Sequence, residues 1–266
     1  MKLKFLILAV ACFCAIPLSS QDYFPKNDGV KAENNNYTAL THARIYVTPT
    51  QIIEDGTLLI KDGKVVSAGT SVNIPSNSVV IDLKGKYIYP SFIDVYSTFG
   101  VEQPKRPSGG GRSPQYDPTR EGFYWNDHIM PEADAINSYK YDDKSAKALR
   151  EAGFGVVNSH IQDGIARGTG VLVALKSEGN DAERIVDDNS AQYFSFERSV
   201  IKRQSYPTSL MGAMALLRQM YSDANWYQKG MVDTKDRSLE ALLENKGQVQ
   251  VFAAANAGNI LRADKI

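Results

Sequence analysis

The sequence has 266 residues, enough to bury a sizeable hydrophobic core in one large domain or two smaller ones. Hydrophobic residues make up 43% of the chain and charged residues 23%, as in ordinary soluble globular proteins. The 30 basic and 30 acidic residues give a formal net charge of zero. This balance argues against a nucleic-acid-binding protein and against a polybasic membrane-binding protein.

Residues 1–20 have the pattern of a secretory signal peptide. Two lysines precede an apolar run over residues 5–16, and a short segment that ends in two serines follows it up to Ser20. We therefore predict cleavage near Ser20 and export, with a periplasmic or secreted location. The apolar run is too short to span a bilayer comfortably, so no membrane span is expected in the mature chain. Cys12 and Cys14 both lie in this segment, which excludes disulfides and cysteine chemistry after cleavage.

A β-rich region follows a polar segment. Residues 21–37 predict a flexible lead-in. Residues 57–68 hold two β-forming runs around an Asp-Gly pair at 62–63, which favours a hairpin because it tolerates the positive φ of a tight turn. A Lys-Gly pair at 84–85 separates two further runs. We therefore predict a small β-sandwich portion over residues 38–90.

Pro90 marks a predicted boundary. The apolar run 91–97 suits a strand that is buried on both faces, as parallel strands are. A long loop is predicted over residues 99–140, because residues 102–122 hold four prolines and three consecutive glycines. A mobile surface insertion is favoured there over a recognition arm.

From residue 141 onward the sequence alternates between helix and strand patterns. The predicted strands are 154–158, 170–176 and 248–254, and the predicted helices begin at Asp142 or Asp143, at Thr208 or Ser209, at Arg237 and at Asn256. Alternation of this kind predicts a parallel sheet or barrel over residues 91–266. About four barrel-type strands precede the end of the sequence, whereas a (β/α)8 barrel needs eight, so we expect a truncated barrel.

Three stretches carry a family resemblance. Residues 54–69 read EDGTLLIKDGKVVSAG, residues 80–94 read VIDLKGKYIYPSFID, and residues 250–256 read QVFAAAN. Together with their surroundings, over roughly residues 38–266, they resemble the N-terminal portion of the amidohydrolase superfamily, in its imidazolonepropionase-like branch. The resemblance implies a composite β-sandwich followed by a metal-dependent (β/α)8-type hydrolase barrel.

The first barrel strand departs from the pattern of that family. The resemblance implies Ile-Asp-x-His-x-His, whose two histidines hold a divalent metal, commonly zinc, but Tyr96 and Thr98 stand at the two histidine positions. A phenol with an ordinary pKa of about 10 is a poor substitute for neutral imidazole. We therefore assign no catalytic, cofactor-binding or metal-binding residue in this segment. Zinc or another divalent metal is expected, by resemblance, only in the full-length protein.

The histidines are the remaining candidates. His42 lies in the predicted sandwich and is interpreted as structural. His128 lies in the predicted loop and is interpreted as a surface or loop-packing residue. His160 is the best candidate, because it follows a predicted strand at the end where barrel chemistry takes place. One histidine does not build a metal site, and a hydrogen-bonded loop histidine is the simpler interpretation. A triad of Ser159, His160 and Asp163 is discounted, because close neighbours in one short loop rarely reach that geometry.

Two functions remain open. By resemblance the protein is a hydrolase that acts on carbon–nitrogen bonds other than peptide bonds in a small-molecule substrate. The alternative is a non-catalytic degenerate barrel that serves as a binding or structural module of a larger secreted protein. The sequence favours no oligomeric state.

Overall fold

The computed structural model describes residues 36–106, 114–230 and 234–266. The predicted signal peptide, nearly all of the lead-in and the run of three glycines lie outside these ranges. The chain divides into two compact units, and the boundary between them in the sequence falls between Pro90 and Ser91. Among the described residues, no helix combines the length and the apolar character that crossing a membrane requires.

The first unit is built on one five-stranded sheet. Its strands are β1 (Thr38–Tyr46), β2 (Ile52–Lys61), β3 (Lys64–Gly69), β4 (Val79–Asp82) and β5 (Tyr87–Ile88). Strand β2 pairs antiparallel with β1 and β3, whereas β4 and β5 lie parallel to β1. The predicted hairpin is confirmed, with φ of 51° at Asp62 and 72° at Gly63 in the turn. The described part of this unit does not include the second sheet that a sandwich requires.

The second unit holds two further sheets. Its strands are β6 (Phe92–Ser97), β7 (Phe154–Ser159), β8 (Ala166–Thr169), β9 (Val171–Ala174), β10 (Ile185–Asp187), β11 (Ala191–Ser195) and β12 (Val249–Ala253). The strand orders are β10-β9-β7-β6 and β12-β11-β8. Only the pairs β6–β7 and β11–β12 are parallel among the pairs in these two sheets. The described residues therefore form a mixed α/β fold, in which the strands do not close into a ring.

Helices flank these sheets. They are α1 (Asp143–Glu151), α2 (Asp181–Arg184), α3 (Leu210–Tyr227), α4 (Arg237–Glu244) and α5 (Ala257–Ala263), with 3-10 turns at Ala135–Ser138 and Asn245–Gly247. Of the alternative N-caps, Asp142 and Ser209 are the ones used. Their side chains accept hydrogen bonds from the backbone N–H groups of Ser145 and Gly212, which the first turn of a helix otherwise leaves without partners.

One predicted barrel strand has a different direction in the sheet from the one expected. The predicted strand 170–176 exists as β9, but it runs antiparallel to β7. The parallel partner of β12 is β11, which the sequence did not predict. Gln192 and Ser195 interrupt the apolar pattern of β11, although they are 0% and 1% exposed. Because a polar residue in a sequence normally indicates a surface position, the strand gave no hydrophobic signal.

The segment 99–140 lies partly in the core. Its described part contains the 3-10 turn at Ala135–Ser138 and isolated bridges to β8 from Ile129 and Asp134. Tyr124 and Ile129 are 2% and 0% exposed and pack against α3 and α4 as members of the larger hydrophobic cluster. This second half of the segment is thus a packed part of the fold.

Two strands lie at sheet edges and expose apolar side chains. Strand β6 ends its sheet, and Phe92, Ile93 and Val95 are all more than half exposed. Strand β12 ends the other sheet and exposes Val249. The prediction that residues 91–97 are buried on both faces is therefore wrong for the described chain. A parallel strand is buried only when strands flank it on both sides and helices cover it, and β6 pairs with β7 alone.

Candidate functional site

The carboxyl ends of β6 and β7 bring chemically distinctive side chains together. The two strands are parallel, so their ends lie at the same edge of the sheet. His160 follows β7, and its ring stacks on Tyr193 of β11 with centroids 3.6 Å apart and planes 4° apart. The ring of Tyr96 lies 4.6 Å from the His160 ring. With Arg167 of β8, these residues form what we call the strand-end cluster (Tyr96, His160, Arg167 and Tyr193).

Arg167 is the charged member of the strand-end cluster. It is 3% exposed, and its Nε donates to the Gly164 carbonyl oxygen at 3.0 Å. Its Nη1 donates to the Tyr96 hydroxyl oxygen at 2.7 Å. Its Nη2 lies 3.6 Å from a carboxylate oxygen of Glu197, whose side chain is 83% exposed. A buried cation thus faces two neutral acceptors and one carboxylate on the solvent side.

Gly168 fixes the position of Arg167. Its φ is 79°, and a Cβ at this residue would lie 1.8 Å from the carbonyl oxygen of Ala133. Only glycine allows β8 to approach the backbone of the 99–140 segment this closely. The strand that holds Arg167 is therefore tied directly to the core part of that segment.

His160 is buried without hydrogen bonds to its ring. It is 0% exposed, and neither ring nitrogen has a hydrogen-bond partner among the described residues. Burial, reinforced by the positive charge of Arg167, lowers the pKa of His160 to about 3. The ring is therefore neutral at physiological pH. The prediction of a hydrogen-bonded loop histidine is wrong for the side chain, although the backbone N–H of His160 donates to the Ser97 carbonyl oxygen at 3.0 Å.

Tyr193 links β11 to β6. Its hydroxyl donates to the Val95 carbonyl oxygen at 2.8 Å. Burial, followed by the nearby charge of Asp94, raises the pKa of Tyr193 well above the ordinary range of a phenol. Because the hydroxyl stays protonated, it acts as a fixed donor that holds the stacking ring in place against His160.

His128 lies in a separate polar network. Its Nε2 donates to the Gln204 carbonyl oxygen at 2.8 Å, and its Nδ1 accepts a hydrogen bond from the Ser199 backbone N–H at 3.1 Å. The residue is 1% exposed, and burial lowers its pKa. With both ring nitrogens bonded to the backbone, His128 joins the 99–140 segment to residues 199–204. Of the two roles that the sequence left open, surface and loop packing, the structure shows loop packing.

The discounted triad is not assembled. Asp163 accepts hydrogen bonds from the Ser199 hydroxyl at 2.5 Å and from the Val200 backbone N–H at 2.6 Å. The Ser159 hydroxyl and the His160 ring have no hydrogen-bond partner among the described residues, so neither is bonded to the other or to Asp163. The serine has no base beside it, and the arrangement cannot perform nucleophilic catalysis of the triad type.

His42 belongs to the first unit. It has φ of 54° at an irregularity in the β1–β2 pairing, and its Nδ1 lies 3.1 Å from an Asp82 carboxylate oxygen on the surface. The three histidines therefore occupy three different environments: an exposed hydrogen bond to Asp82, a buried network in which both ring nitrogens are bonded, and the strand-end cluster.

The strand-end cluster does not fit a divalent metal. Zinc takes imidazole, thiolate or carboxylate ligands, but the Tyr96 hydroxyl oxygen already accepts from the Arg167 guanidinium. A fixed positive charge at this point opposes a second cation. Among the described residues, no group of three or more His, Cys, Asp or Glu side chains has the arrangement of a metal site. Thr98, at the second histidine position, is exposed.

Arg167, Tyr193 and Glu197 were missed by the sequence reasoning. Arg167 stands between apolar residues and glycines, and an arginine in such a setting is a signal of a buried charge. Glu197 and Tyr193 gave no comparable signal, because β11 itself was not predicted.

Comparison with known proteins identifies the fold. The chain is similar in fold to the crystal structure of an amidohydrolase from Thermotoga maritima, with a TM-score of 0.62 and 18% sequence identity. The match covers 86% of this chain and 61% of that chain, so the present chain spans about three fifths of the length of this structural relative. No protein-family model matches the sequence. No curated protein matches it either.

Proposed function

We propose that this chain is the N-terminal portion of an exported amidohydrolase-type hydrolase, which acts on carbon–nitrogen bonds other than peptide bonds in a small molecule. The observation that carries the proposal is the similarity of the fold, over 86% of the chain, to an amidohydrolase. The sequence over residues 43–94, which resembles the imidazolonepropionase-like branch, supports the same assignment. The pattern of residues 1–20 supports export.

In this proposal the described residues supply scaffold and not metal ligands. The residues at the carboxyl ends of β6 and β7 do not fit zinc, since Arg167 holds the Tyr96 hydroxyl. A hydrolytic metal would therefore need ligands from elsewhere in the full-length protein. A bound divalent metal would supply an activated water for hydrolysis.

The proposal is tested on the purified full-length protein. Its metal content is measured by elemental mass spectrometry, and release of amine or ring-opened product is followed over a panel of amides and lactams. Hydrolysis of a panel member that stops after chelation and returns with added zinc would support the proposal. Failure to hydrolyse any member, with less than stoichiometric metal, would contradict it and favour a non-catalytic module.

Export is tested separately. Mass spectrometry of the N-terminus of the protein from its native cells should show a chain that begins shortly after Ser20. A mature protein that retains Met1 would contradict export by cleavage of this segment.

A further inference from the structure

The guanidinium of Arg167 is incompletely compensated. A buried charge is costly unless it is paired and hydrogen-bonded. Two of the Arg167 nitrogens donate to neutral oxygens, the Gly164 carbonyl and the Tyr96 hydroxyl. The third, Nη2, faces the Glu197 carboxylate at 3.6 Å, which is beyond direct hydrogen-bond distance. The edge of the guanidinium that carries Nη2 is therefore available to an oxygen that approaches more closely.

Glu197 is a weak internal partner. Its side chain is 83% exposed whereas that of Arg167 is buried, so water screens the carboxylate and holding the side chain in place costs conformational entropy. A carboxylate from another molecule that reached Nη2 at hydrogen-bond distance would form a stronger, charge-assisted bond. Glu197 therefore occupies the position that such a ligand would take.

His160 is a second, independent sign of a ligand position. It is fully buried beside Tyr96, and both of its ring nitrogens are without a hydrogen-bond partner among the described residues. Nearly all buried polar groups in folded proteins are hydrogen-bonded, so an unbonded imidazole next to an undercompensated cation needs an explanation. A carboxylate bound at this edge would accept hydrogen bonds from Nη2 of Arg167 and from the one N–H of the neutral imidazole.

We propose that the buried guanidinium of Arg167, beside the carboxyl ends of β6 and β7, binds a carboxylate-bearing small molecule which displaces Glu197. The ligand class is a carboxylate because the group that it replaces is one. The inference depends on the local contacts of the strand-end cluster. It does not depend on the proposed hydrolysis.

The test uses the full-length protein with sodium acetate as the probe and sodium chloride at equal ionic strength as the blank. The thermal unfolding midpoint of the second unit is measured against acetate concentration. We expect a saturable rise over the blank in the natural protein. In Glu197→Gln the half-saturating concentration should fall roughly fivefold, because the carboxylate that competes with acetate is lost. In Arg167→Met the rise should disappear.

Arg198→Gln is the matched control. Arg198 donates to the Ser205 carbonyl oxygen at the surface of the same unit, so its loss changes the net charge equally without touching the cluster. Its acetate response should equal that of the natural protein. The absence of a saturable response in the natural protein, or an unchanged response in Arg167→Met, would overturn the proposal. If Arg167→Met does not fold, Glu197→Gln decides alone, and an unchanged half-saturating concentration refutes it. Loss of hydrolysis with a normal acetate response would count only against the proposed function.

Discussion

Two buried histidines of the second unit have opposite surroundings. His128 and His160 are 1% and 0% exposed, and in both cases burial lowers the pKa. Yet His128 is hydrogen-bonded through both ring nitrogens to the backbone. The ring of His160 has aromatic contacts and a nearby cation, but no hydrogen bond to any residue that the structure describes. Equal burial therefore does not mean an equal role. The first histidine holds two segments together, and the second is free to serve another molecule.

The largest expected effect on stability comes from the replacement of His128. His128→Ala would leave the Gln204 carbonyl and the Ser199 N–H buried without their partner, and it would open a cavity. We expect the free energy of unfolding to fall by about 3–5 kcal/mol. Urea unfolding followed by tryptophan fluorescence measures the change. A loss below about 1 kcal/mol would show that the network does not stabilise the fold.

The pH dependence of stability sharpens the contrast. The unfolded state protonates His160 below its ordinary pKa of about 6.5, but the folded state stays neutral until the pH reaches about 3. The unfolded state therefore binds more protons within this window, and stability is lost as the pH falls through it. Above this pH window, the titration of His160 no longer changes the free energy of unfolding.

Between pH 6 and pH 4 the expected loss from His160 is about 2–3 kcal/mol. Urea unfolding at several pH values should show it, on top of a contribution of the same sign from His128. His160→Phe should remove the larger part of this dependence. An identical pH dependence in that variant would mean that the folded state already protonates His160 near pH 6.

At constant neutral pH, His160→Phe should have a small effect of opposite sign to His128→Ala. The aromatic ring keeps the contact with Tyr193, while two buried nitrogens without partners disappear. We expect a free energy of unfolding that is unchanged or higher by up to about 2 kcal/mol. Destabilisation by more than about 2 kcal/mol in urea unfolding would show that the imidazole has bonds that make it structural.

His42 provides the reference for all three measurements. It lies on the surface of the first unit, where its pairing with Asp82 is exposed. Asparagine tolerates the positive φ of this position well. His42→Asn should therefore change the free energy of unfolding by less than about 0.5 kcal/mol. A larger change would indicate that the surface pair or the irregular backbone contributes to stability after all.

Sequence reasoning succeeded where the interactions are local. The turn at residues 62–63 and the helix caps Asp142 and Ser209 depend on neighbours within a few residues, so the pattern predicts them. For His128 the sequence left a surface role and a loop-packing role open, because the choice depends on contacts with residues 199–204 that are distant in sequence.

The contacts that define the strand-end cluster could not be predicted in the same way. Arg167 and Tyr96 are 71 residues apart in sequence, and their hydrogen bond exists only because the beginning of β8 lies beside the carboxyl end of β6. Strand β11 was missed because Gln192 is buried although it is polar. A buried polar side chain reverses the hydrophobic signal on which strand prediction rests.

The exposed edge of β6 has a consequence for the folding of this protein during its synthesis. Phe92, Ile93 and Val95 project from an edge whose far side has no strand in the described chain. Such an edge is a template for pairing with another chain. During synthesis, residues 92–95 are therefore expected to be one part of the second unit, together with the edge at Val249, that a holdase chaperone recognises while it is uncovered.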